Sequence, residues 1–482
     1  MELIYILLIP VVVAALSLFP TKGRDFAPLT TITGTAAVFI ASLHTALKAS
    51  AGSDVVAVEG WLACDAFGGL LLLLVSFVGL TAAIFSWGYT GRIAGPNATV
   101  RVCRYYRRYN LFLVSMLAVP VLSHISMVWI AVELTTLLSV FLVSFPNTPE
   151  AIEAAWKYSV LTCMGAALAL FGILILYWGM TISGGGPFTW SGLLAAAPKM
   201  PPALLQTGFL FILIGFGTKA GLVPLHTWLP DAHSQAPSPV CALLSGVETS
   251  TALYAIMRLI PAVQAITDGH SGRWVLIFGL VSAGFAAFLL IQVKEYKRLF
   301  AFSTIEHMGI ILVAVGMGGA GAYFGATYQI LSHTMAKSFC FFAAGAALRV
   351  AGARDINSVK GLIRESPLVG ASLLLGALAI SGAPPFAVFL SELTILKAGV
   401  SSGQYVATGL LALFVVIAFC GIMFHISRMV FGKPMPHSES RPLPTSYATS
   451  LSLAAIPVCL FGLYIPGPLL ELLRLAANAL GR

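Results

Sequence analysis

A small set of ionisable side chains interrupts the long apolar stretches of this sequence. Glutamate, lysine and histidine can each take up or release a proton, and histidine titrates near neutral pH. Charge is costly to bury in lipid, so such residues at membrane depth mark ion or proton pathways. The primary candidates for a proton pathway are Glu133, Lys219, Glu248, His307, His333, Lys337 and Glu392. The secondary candidates are Glu306, His226, Asp231, His233 and His425.

The residue types in this set predict proton transfer. A lysine close to the buried carboxylate of Glu133 would favour the charged form of that carboxylate. Lysine suits such a pair better than arginine because its pKa falls readily on burial. His333 and Lys337 are four positions apart, on one face of a helix. A single buried polar residue could simply bridge helices, but a set this large favours a hydrated polar axis.

Sodium is an alternative ion for the same carboxylates. Hard cations bind several oxygen ligands at once. The axis contains lysine and histidine side chains, which repel or ignore Na⁺, so the sequence favours protons over sodium.

The composition indicates which elements carry these groups. Of the 482 residues, 58% are hydrophobic and only 9% are charged, against about 25% charged in ordinary soluble domains. A water-soluble enzyme and a disordered chain are excluded, and continuous rather than alternating apolar segments argue against a β-barrel. The sequence predicts an all-α polytopic membrane protein of about 14 transmembrane helices, the first of them a retained helix. The predicted spans are 3–20, 28–48, 66–90, 109–122, 124–145, 151–178, 203–229, 238–260, 273–292, 298–317, 320–349, 368–399, 404–431 and 446–474.

The basic residues predict the topology. Of 27 lysines and arginines, 18 fall in the loops after spans 1, 3, 5, 9, 11 and 13. Short loops rich in lysine and arginine stay in the cytoplasm, so we expect both termini outside a cell inner membrane. Because these residues are spread over separate loops, the net charge of +9 gives no support to nucleic-acid binding.

Spans 7 and 12 are predicted to be broken helices. Proline removes a helix N–H, and both spans combine it with glycine, in 215–224 and in 381–386. Lys219 to Glu392 is a spacing of 173 positions, and Glu133 to Glu306 has the same spacing. We therefore expect two inverted five-helix repeats, because interrupted helices in two halves are typical of transport pathways. The expected segments are 1–108 with three helices, repeats 109–262 and 263–432, and a C-terminal helix in 433–482.

The seven cysteines give no sign of a redox centre or a metal site. None belongs to a CxxC pair, whereas iron–sulfur and zinc sites use clustered cysteines. We expect no cofactor on this chain, so any electron carrier would sit on a partner.

Three long motifs resemble the antiporter-like subunits of respiratory complex I, multi-subunit Na⁺/H⁺ antiporters and membrane-bound hydrogenases. They are 225–240 (LHTWLPDAHSQAPSPV), 297–309 (KRLFAFSTIEHMG) and 332–337 (SHTMAK). Within that family, 132–139 (VELTTLLS) and 148–158 (TPEAIEAAWKY) resemble the F component of hydrogenase-4, in the formate hydrogenlyase group. The chain ends soon after span 14, without the long lateral helix of the longest complex I members.

The resemblance implies a proton channel of two half-pathways joined by a polar axis. Glu133 resembles the glutamate of the family's Glu–Lys pair, and Lys219 resembles its lysine. His333 and Lys337 resemble the relay on the eleventh helix, and Glu392 resembles the terminal group of the twelfth. One position departs, because Ser250 occupies the slot of a lysine found in several members. Glu248 lies about 200° round the helix from that slot and is not an obvious substitute.

The sequence therefore predicts a proton-translocating membrane subunit of a hydrogenase or NADH dehydrogenase-like complex. The resemblance implies other membrane-arm subunits and a peripheral nickel-iron/iron-sulfur arm as partners, with the lipid bilayer around the chain. A Na⁺/H⁺ antiporter subunit, a stand-alone transporter of small solutes and a non-conducting structural anchor remain alternatives. A transporter would need a midplane solute cavity, and an anchor would tolerate neutral residues at Glu133 and Glu392.

Overall fold

The computed structural model describes residues 1–19, 23–264, 270–433 and 442–481. Parts of the predicted cytoplasmic loops after spans 1 and 13, with the basic residues that they contain, lie outside the described residues. So does Arg482 at the predicted outer end of the chain. Within the described residues the fold is a bundle of helices with one small β-hairpin.

Helices follow one another along the whole described chain. The first eleven are α1 (Glu2–Leu16), α2 (Phe26–Ser50), α3 (Ala66–Thr90), α4 (Ala98–Ala118), α5 (Ile125–Val143), α6 (Pro149–Ile182), α7 (Trp190–Ala196), α8 (Pro202–Ala220), α9 (Trp228–Gln235), α10 (Ser238–Leu243) and α11 (Thr249–Met257). The others are α12 (Ile260–Gln264), α13 (His270–Leu290), α14 (Tyr296–Met317), α15 (Ala320–Ala351), α16 (Leu362–Glu365), α17 (Pro367–Ile380), α18 (Ala387–Ser401), α19 (Tyr405–Phe431), α20 (Thr445–Leu460) and α21 (Gly467–Asn478). A π-helical turn, Leu244–Glu248, joins α10 to α11.

The polytopic all-α prediction is confirmed. Nine helices of the described residues are long and apolar enough to cross a membrane, and α1, α17 and α20 are shorter apolar helices. Each predicted span overlaps at least one helix, although α4 begins eleven residues before the predicted span 109–122. The predicted count of fourteen crossings is not tested by these lengths. The four-segment division and the inverted repeats also stay predictions.

The hairpin was not expected from the sequence. Strand β1 (Val55–Ala57) pairs antiparallel with β2 (Leu62–Cys64) in the loop between α2 and α3. Gly60 turns the chain at φ 88°, a conformation that glycine adopts without a steric penalty. These short β-branched and apolar runs lie beside the helix ends and do not alter the helical class.

The first predicted break lies between α8 and α9. Gly221 ends α8 in the left-handed conformation at φ 81°. The freed backbone groups find partners within the protein. The Trp228 indole donates to the Thr218 carbonyl at 2.8 Å, and the Val223 N–H donates to the Ser282 hydroxyl at 3.1 Å. Non-helical backbone at membrane depth is tolerated only where such partners exist.

The second predicted break separates α17 from α18. Gly382 lies at φ 75°, and the Ile380 carbonyl accepts a hydrogen bond from His307 Nε2 at 2.9 Å. Lys219 lies just before its break, whereas Glu392 lies one turn beyond its own. The equal sequence spacing therefore does not give these two residues equivalent positions in their helices.

Small residues let the helices that carry the site pack closely. A Cβ added at Gly172 on α6 would come 2.5 Å from the Gly208 carbonyl oxygen on α8. A Cβ added at Gly309 on α14 would come 2.7 Å from the Gly279 carbonyl oxygen on α13. Close backbone approach at small residues is the usual way that membrane helices associate. These contacts fix α8 and α14, which carry Lys219 and His307.

Loops that the sequence assigns to one side of the membrane meet on one face of the bundle. Asp65 caps α3, accepting from the Gly68 N–H at 2.9 Å, and forms an ion pair of 2.5 Å with Arg258. Ala479, near the C-terminus, lines the same surface pocket as these two side chains. Glu2 pairs at 2.6 Å with Lys48, next to the hairpin on this face. Both described ends of the chain thus lie on one face, as the predicted topology requires.

Candidate functional site

A buried ion pair lies at the first break. Lys219, in the last turn of α8, forms an ion pair of 2.6 Å with Glu248, the last residue of the π-helical turn. The two side chains are 3% and 1% exposed. Buried charges persist when they are paired and hydrogen-bonded, because each is expensive to remove from water. The first break therefore contains a pair that can change its state when it is separated or protonated.

Hydroxyl groups surround this pair. Lys219 donates to the Thr136 hydroxyl at 2.5 Å and to the Tyr158 hydroxyl at 2.9 Å. Tyr158 in turn donates to Glu248 Oε1 at 2.8 Å and lies 2.7 Å from the Ser139 hydroxyl. The second carboxylate oxygen of Glu248 is buried without a protein partner. Tyr158 thus bridges the two charges through a single oxygen and supplies an exchangeable proton between them.

The structure does not show the predicted pairing of Glu133 with Lys219. Glu133 lies on α5 and is half-buried, and its carboxylate accepts a hydrogen bond from the Cys163 thiol at 2.9 Å. The same helix presents Thr136, one turn later, to Lys219. The lysine already has the fully buried carboxylate of Glu248 as its counter-charge, so Glu133 forms no ion pair with it in the described structure.

The π-helical turn connects this ion pair to α15. His333 Nε2 lies 3.1 Å from the Ser245 carbonyl oxygen, and the Thr334 hydroxyl donates to the Gly246 carbonyl at 2.7 Å. A π turn leaves backbone carbonyls off the ordinary α-helical ladder, and such turns are frequent at functional sites. The turn therefore serves two purposes, since it positions Glu248 and also anchors His333.

The two central histidines form a pair of rings whose centroids are 5.2 Å apart. His307 Nδ1 accepts from the Gln329 amide at 2.9 Å, so Nε2 carries the proton that it donates to Ile380. His333 donates through Nε2 to a carbonyl, which leaves its buried Nδ1 as an acceptor without a partner. Among the described residues, the Nδ1 of His333 is thus left without a hydrogen-bond partner next to the ring of His307.

Lys337 lies one turn beyond His333 on α15 and is fully buried. It donates to the Phe300 carbonyl oxygen at 2.7 Å and to the Ser303 hydroxyl, both on α14. Glu306, one turn along α14 from Ser303, is also buried. Among the residues that the structure describes, Lys337 forms no ion pair, unlike Lys219.

Glu392 lies at the second break. A Cβ added at Gly382 would collide with its carboxylate, so the missing side chain of this glycine makes room for the acid. Ser391 donates to the Gln329 side-chain oxygen and lies 3.0 Å from the Ser332 hydroxyl. Polar groups thus continue from His307 through Gln329 towards the break that holds Glu392.

The secondary candidates lie around this axis. His226 is buried in the first break with its ring against Phe285, and its Nδ1 has no partner. Asp231 forms ion pairs with Arg298 at 2.7 Å and with Lys157 at 3.3 Å. Two further histidines are held by backbone carbonyls, His233 by Leu229 at 2.7 Å and His425 by Ile291 at 3.1 Å. Asp231 is therefore paired with basic side chains at the bundle surface. Each of these three histidines has one ring nitrogen without a hydrogen-bond partner among the described residues.

Several polar members of the site were not predicted from the sequence. Thr136, Ser139 and Tyr158 surround the ion pair, and Gln329 joins His307 to Ser391. Gln329 carried a usable signal, since it precedes His333 by four positions and His333 precedes Lys337 by four. The hydroxyl residues carried no such signal, because serine, threonine and tyrosine are common in apolar helices without any functional role.

Comparisons with known proteins agree with this architecture. The profile of the family described as NADH:quinone oxidoreductase/Mrp antiporter, TM, matches residues 123–429. The chain is 36% identical over 412 residues to the hydrogenase-4 component F homolog of Methylacidiphilum infernorum (isolate V4), covering 83% of this chain and 85% of that protein. It is 26% identical over 435 residues to NADH-quinone oxidoreductase subunit N of Desulforudis audaxviator (strain MP104C), covering 84% of each.

Two solved structures share the fold. One is the membrane-bound sulfane sulfur reductase, an archaeal respiratory membrane complex, with a TM-score of 0.89 at 23% identity, covering 100% of this chain and 98% of that chain. The other is the Mrp complex from Dietzia sp. DQ12-45-1b, with a TM-score of 0.87 at 20% identity, covering 99% and 97%. The resemblance seen in the sequence motifs is confirmed. The chain belongs to the NADH:quinone oxidoreductase/Mrp antiporter transmembrane family and is an antiporter-like membrane subunit.

Proposed function

We propose that this chain translocates protons as a membrane subunit of a multi-subunit redox complex. The observation that carries the proposal is the buried Lys219–Glu248 ion pair at one helix break. A line of polar groups runs from it, through the π-helical turn and the two histidines, to Glu392 at the other break. Ionisable groups at membrane depth mark proton relays.

The ion pair supplies the switch of the proposed mechanism. With the pair closed, Glu248 holds Lys219 in its charged form, because an opposite charge nearby favours the charged state. Separating the pair leaves a buried ammonium without a counter-charge, which is unfavourable away from water. Lys219 then releases its proton, with the Tyr158 hydroxyl as an adjacent exchangeable group.

The middle of the route uses the histidines. The free Nδ1 of His333 accepts a proton, and Lys337 lies next along the same helix. The neighbouring charge of Lys337 repels a second proton on His333, so the two groups transfer charge in sequence rather than hold it together. Glu392 takes the proton at the second break, and Glu306, His226, His233 and His425 are secondary members. The lysine and histidine content of the route favours H⁺ over Na⁺.

Electron transfer on partner subunits drives the switch in this proposal. Relatives named as components of hydrogenase-4 and of NADH-quinone oxidoreductase support a redox complex of that kind. We infer other membrane-arm subunits and a peripheral nickel-iron/iron-sulfur arm as partners, with no cofactor on this chain. The complex lies in a cell inner membrane, with the basic loops in the cytoplasm and both termini outside.

Replacing Lys219 by methionine in the intact complex tests the proposal. The variant Lys219→Met keeps much of the side-chain volume and removes the titratable group. We expect the number of protons translocated per electron to fall, while Lys199→Met, at an exposed lysine, leaves it unchanged. Co-purification of all subunits checks assembly. An unchanged proton-to-electron ratio in Lys219→Met would refute proton translocation through this site.

A further inference from the structure

A basic cavity of about 300 Å³ opens on the face opposite to the Asp65–Arg258 pair. It lies where the ends of α3, α9, α14, α15 and α20 come together, on the side where the basic loops converge. Its basic residues are Arg92, Lys297, Arg349 and Arg354, and no aspartate or glutamate is among its lining residues. We refer to it below as the basic cavity.

The four cations have no carboxylate partner among the described residues. Arg92 donates to the Tyr447 hydroxyl at 2.6 Å, and Arg354 donates to the Gln235 amide oxygen at 2.6 Å. Lys297, only 1% exposed, donates to two backbone carbonyls, at 2.6 and 3.0 Å. Every one of these acceptors is neutral. The buried Nε of Arg349 has no hydrogen-bond partner in the part of the chain that the structure describes.

Aromatic rings form the other wall of the basic cavity. The Phe85 and Tyr447 rings stack at 3.8 Å, and the Arg92 guanidinium lies 5.7 Å from the Tyr89 ring centroid. A site that combines fixed guanidinium groups with an apolar wall suits a phosphate group attached to a carbon skeleton. Arginine is preferred for this purpose because its planar fork matches phosphate oxygens in a bidentate manner.

We propose that the basic cavity binds a phosphate group, with Arg349 and Arg354 as its principal ligands and Arg92 at the rim. Positive charge gathered without counter-ions is unfavourable unless an anion neutralises it. The two natural sources are the headgroup of an anionic phospholipid and a soluble phosphate ester. Basic pockets between membrane helices recognise lipid headgroups by the same chemistry. This site is separate from the proton route.

Binding measurements on the full-length chain in uncharged detergent test the proposal. The probes are phosphatidylglycerol, phosphatidylcholine as the zwitterionic comparison, and glycerol 3-phosphate. We expect the Arg349→Gln/Arg354→Gln double variant to bind the anionic probe at least about tenfold more weakly, because it loses two guanidinium groups that can form charged, bidentate hydrogen bonds to phosphate oxygens. Arg104→Gln, an exposed arginine outside the basic cavity, is the matched control and should bind as the wild type does.

The pattern of losses identifies the source of the phosphate. Weaker binding of phosphatidylglycerol alone indicates a lipid headgroup, and weaker binding of glycerol 3-phosphate indicates a soluble ester. If the double variant does not fold, Arg92→Gln, at an exposed rim position, provides a second test. This variant should bind the anionic probe several-fold more weakly than the wild type. The proposal is overturned if neither anionic probe binds the wild type saturably, if phosphatidylcholine binds equally well, or if the arginine variants bind as the wild type does.

Discussion

At the scale of single residues, the partner of Lys219 is the main difference between expectation and structure. The family resemblance pointed to Glu133, whose carboxylate instead meets the Cys163 thiol. Glu248 holds the lysine from the neighbouring π-helical turn. The sequence could identify both carboxylates and the lysine as candidates for the proton pathway. It could not choose between the carboxylates, because the choice depends on side-chain directions across three packed helices.

Ser250 and Glu248 are two positions apart and have different contacts. An α-helix turns about 100° per residue, so residues two apart face different sides. Glu248 faces Lys219, whereas the Ser250 hydroxyl lies 3.4 Å from the Gly246 carbonyl of its own helix. That Glu248 is no substitute for the lysine that the resemblance implies at this position stays a prediction. Glu248 is the counter-charge of Lys219.

Tyr158 is expected to stabilise the site through its hydroxyl. In Tyr158→Phe, Glu248 and Lys219 each lose a buried hydrogen bond to the tyrosine hydroxyl, and a hydrogen bond to a charged group contributes about 1.5–3 kcal/mol. The free energy of unfolding of the purified chain should fall by about this amount, measured as a lower thermal midpoint. Tyr464→Phe, at an exposed tyrosine, is the control. Equal midpoints for the two variants would contradict the bridging role.

At the scale of elements, the broken helices were predictable and the π-helical turn was not. Proline and glycine in 215–224 and in 381–386 predict where α8 and α17 end, because proline cannot continue a helix without the loss of a hydrogen bond. The π-helical turn Leu244–Glu248 has no comparable residue signature. It is stabilised from outside, by His333 and Thr334 on α15, and such tertiary support is not visible in the local sequence.

The cap of α3 gives a prediction about pH. Burial acts to raise the pKa of Asp65, but the guanidinium of Arg258 outweighs this effect and holds the pKa below its ordinary value. A carboxyl group with a lowered pKa in the folded state contributes stability above its unfolded pKa, about 3.9. That contribution disappears as the pH falls through the folded pKa.

Asp65→Asn should therefore lower the thermal midpoint at neutral pH. The difference from the wild type should shrink as the pH falls below about 4, because the wild type loses the same interaction when Asp65 becomes protonated. Thermal unfolding of the purified chain, from neutral pH to below about pH 4, measures this difference in midpoint. Asp54→Asn, at an exposed aspartate on the same face, should show no such difference. A midpoint difference that stays constant down to acidic pH would exclude the ion pair as its source.

At the scale of the whole molecule, a few buried charges and many surface charges have separate roles. The sequence could predict the helical class, the two broken helices and the family, because these follow from composition and from long motifs. Both described ends of the chain lie on one face, as the topology predicted from the basic residues requires. The assignment of that face to the outer side of the membrane rests on the positions of the basic residues alone, and it stays a prediction.

The basic cavity could not be predicted at this scale. Arg92, Lys297, Arg349 and Arg354 belong to three different loops, and in the sequence they count only as markers of the cytoplasmic side. Folding brings them together beside the Phe85 and Tyr447 rings. That they have no carboxylate partner within the described ranges follows from how the helix ends pack, which the sequence does not show.

The proton-to-electron ratio of the intact complex tests the central claim most directly, when Glu248→Gln and Glu133→Gln are compared. Each variant removes one carboxylate charge and keeps the side-chain shape. If Lys219 and Glu248 form the working pair, Glu248→Gln should lower the ratio clearly more than Glu133→Gln does. A lowered ratio in Glu133→Gln together with a wild-type ratio in Glu248→Gln would contradict the account.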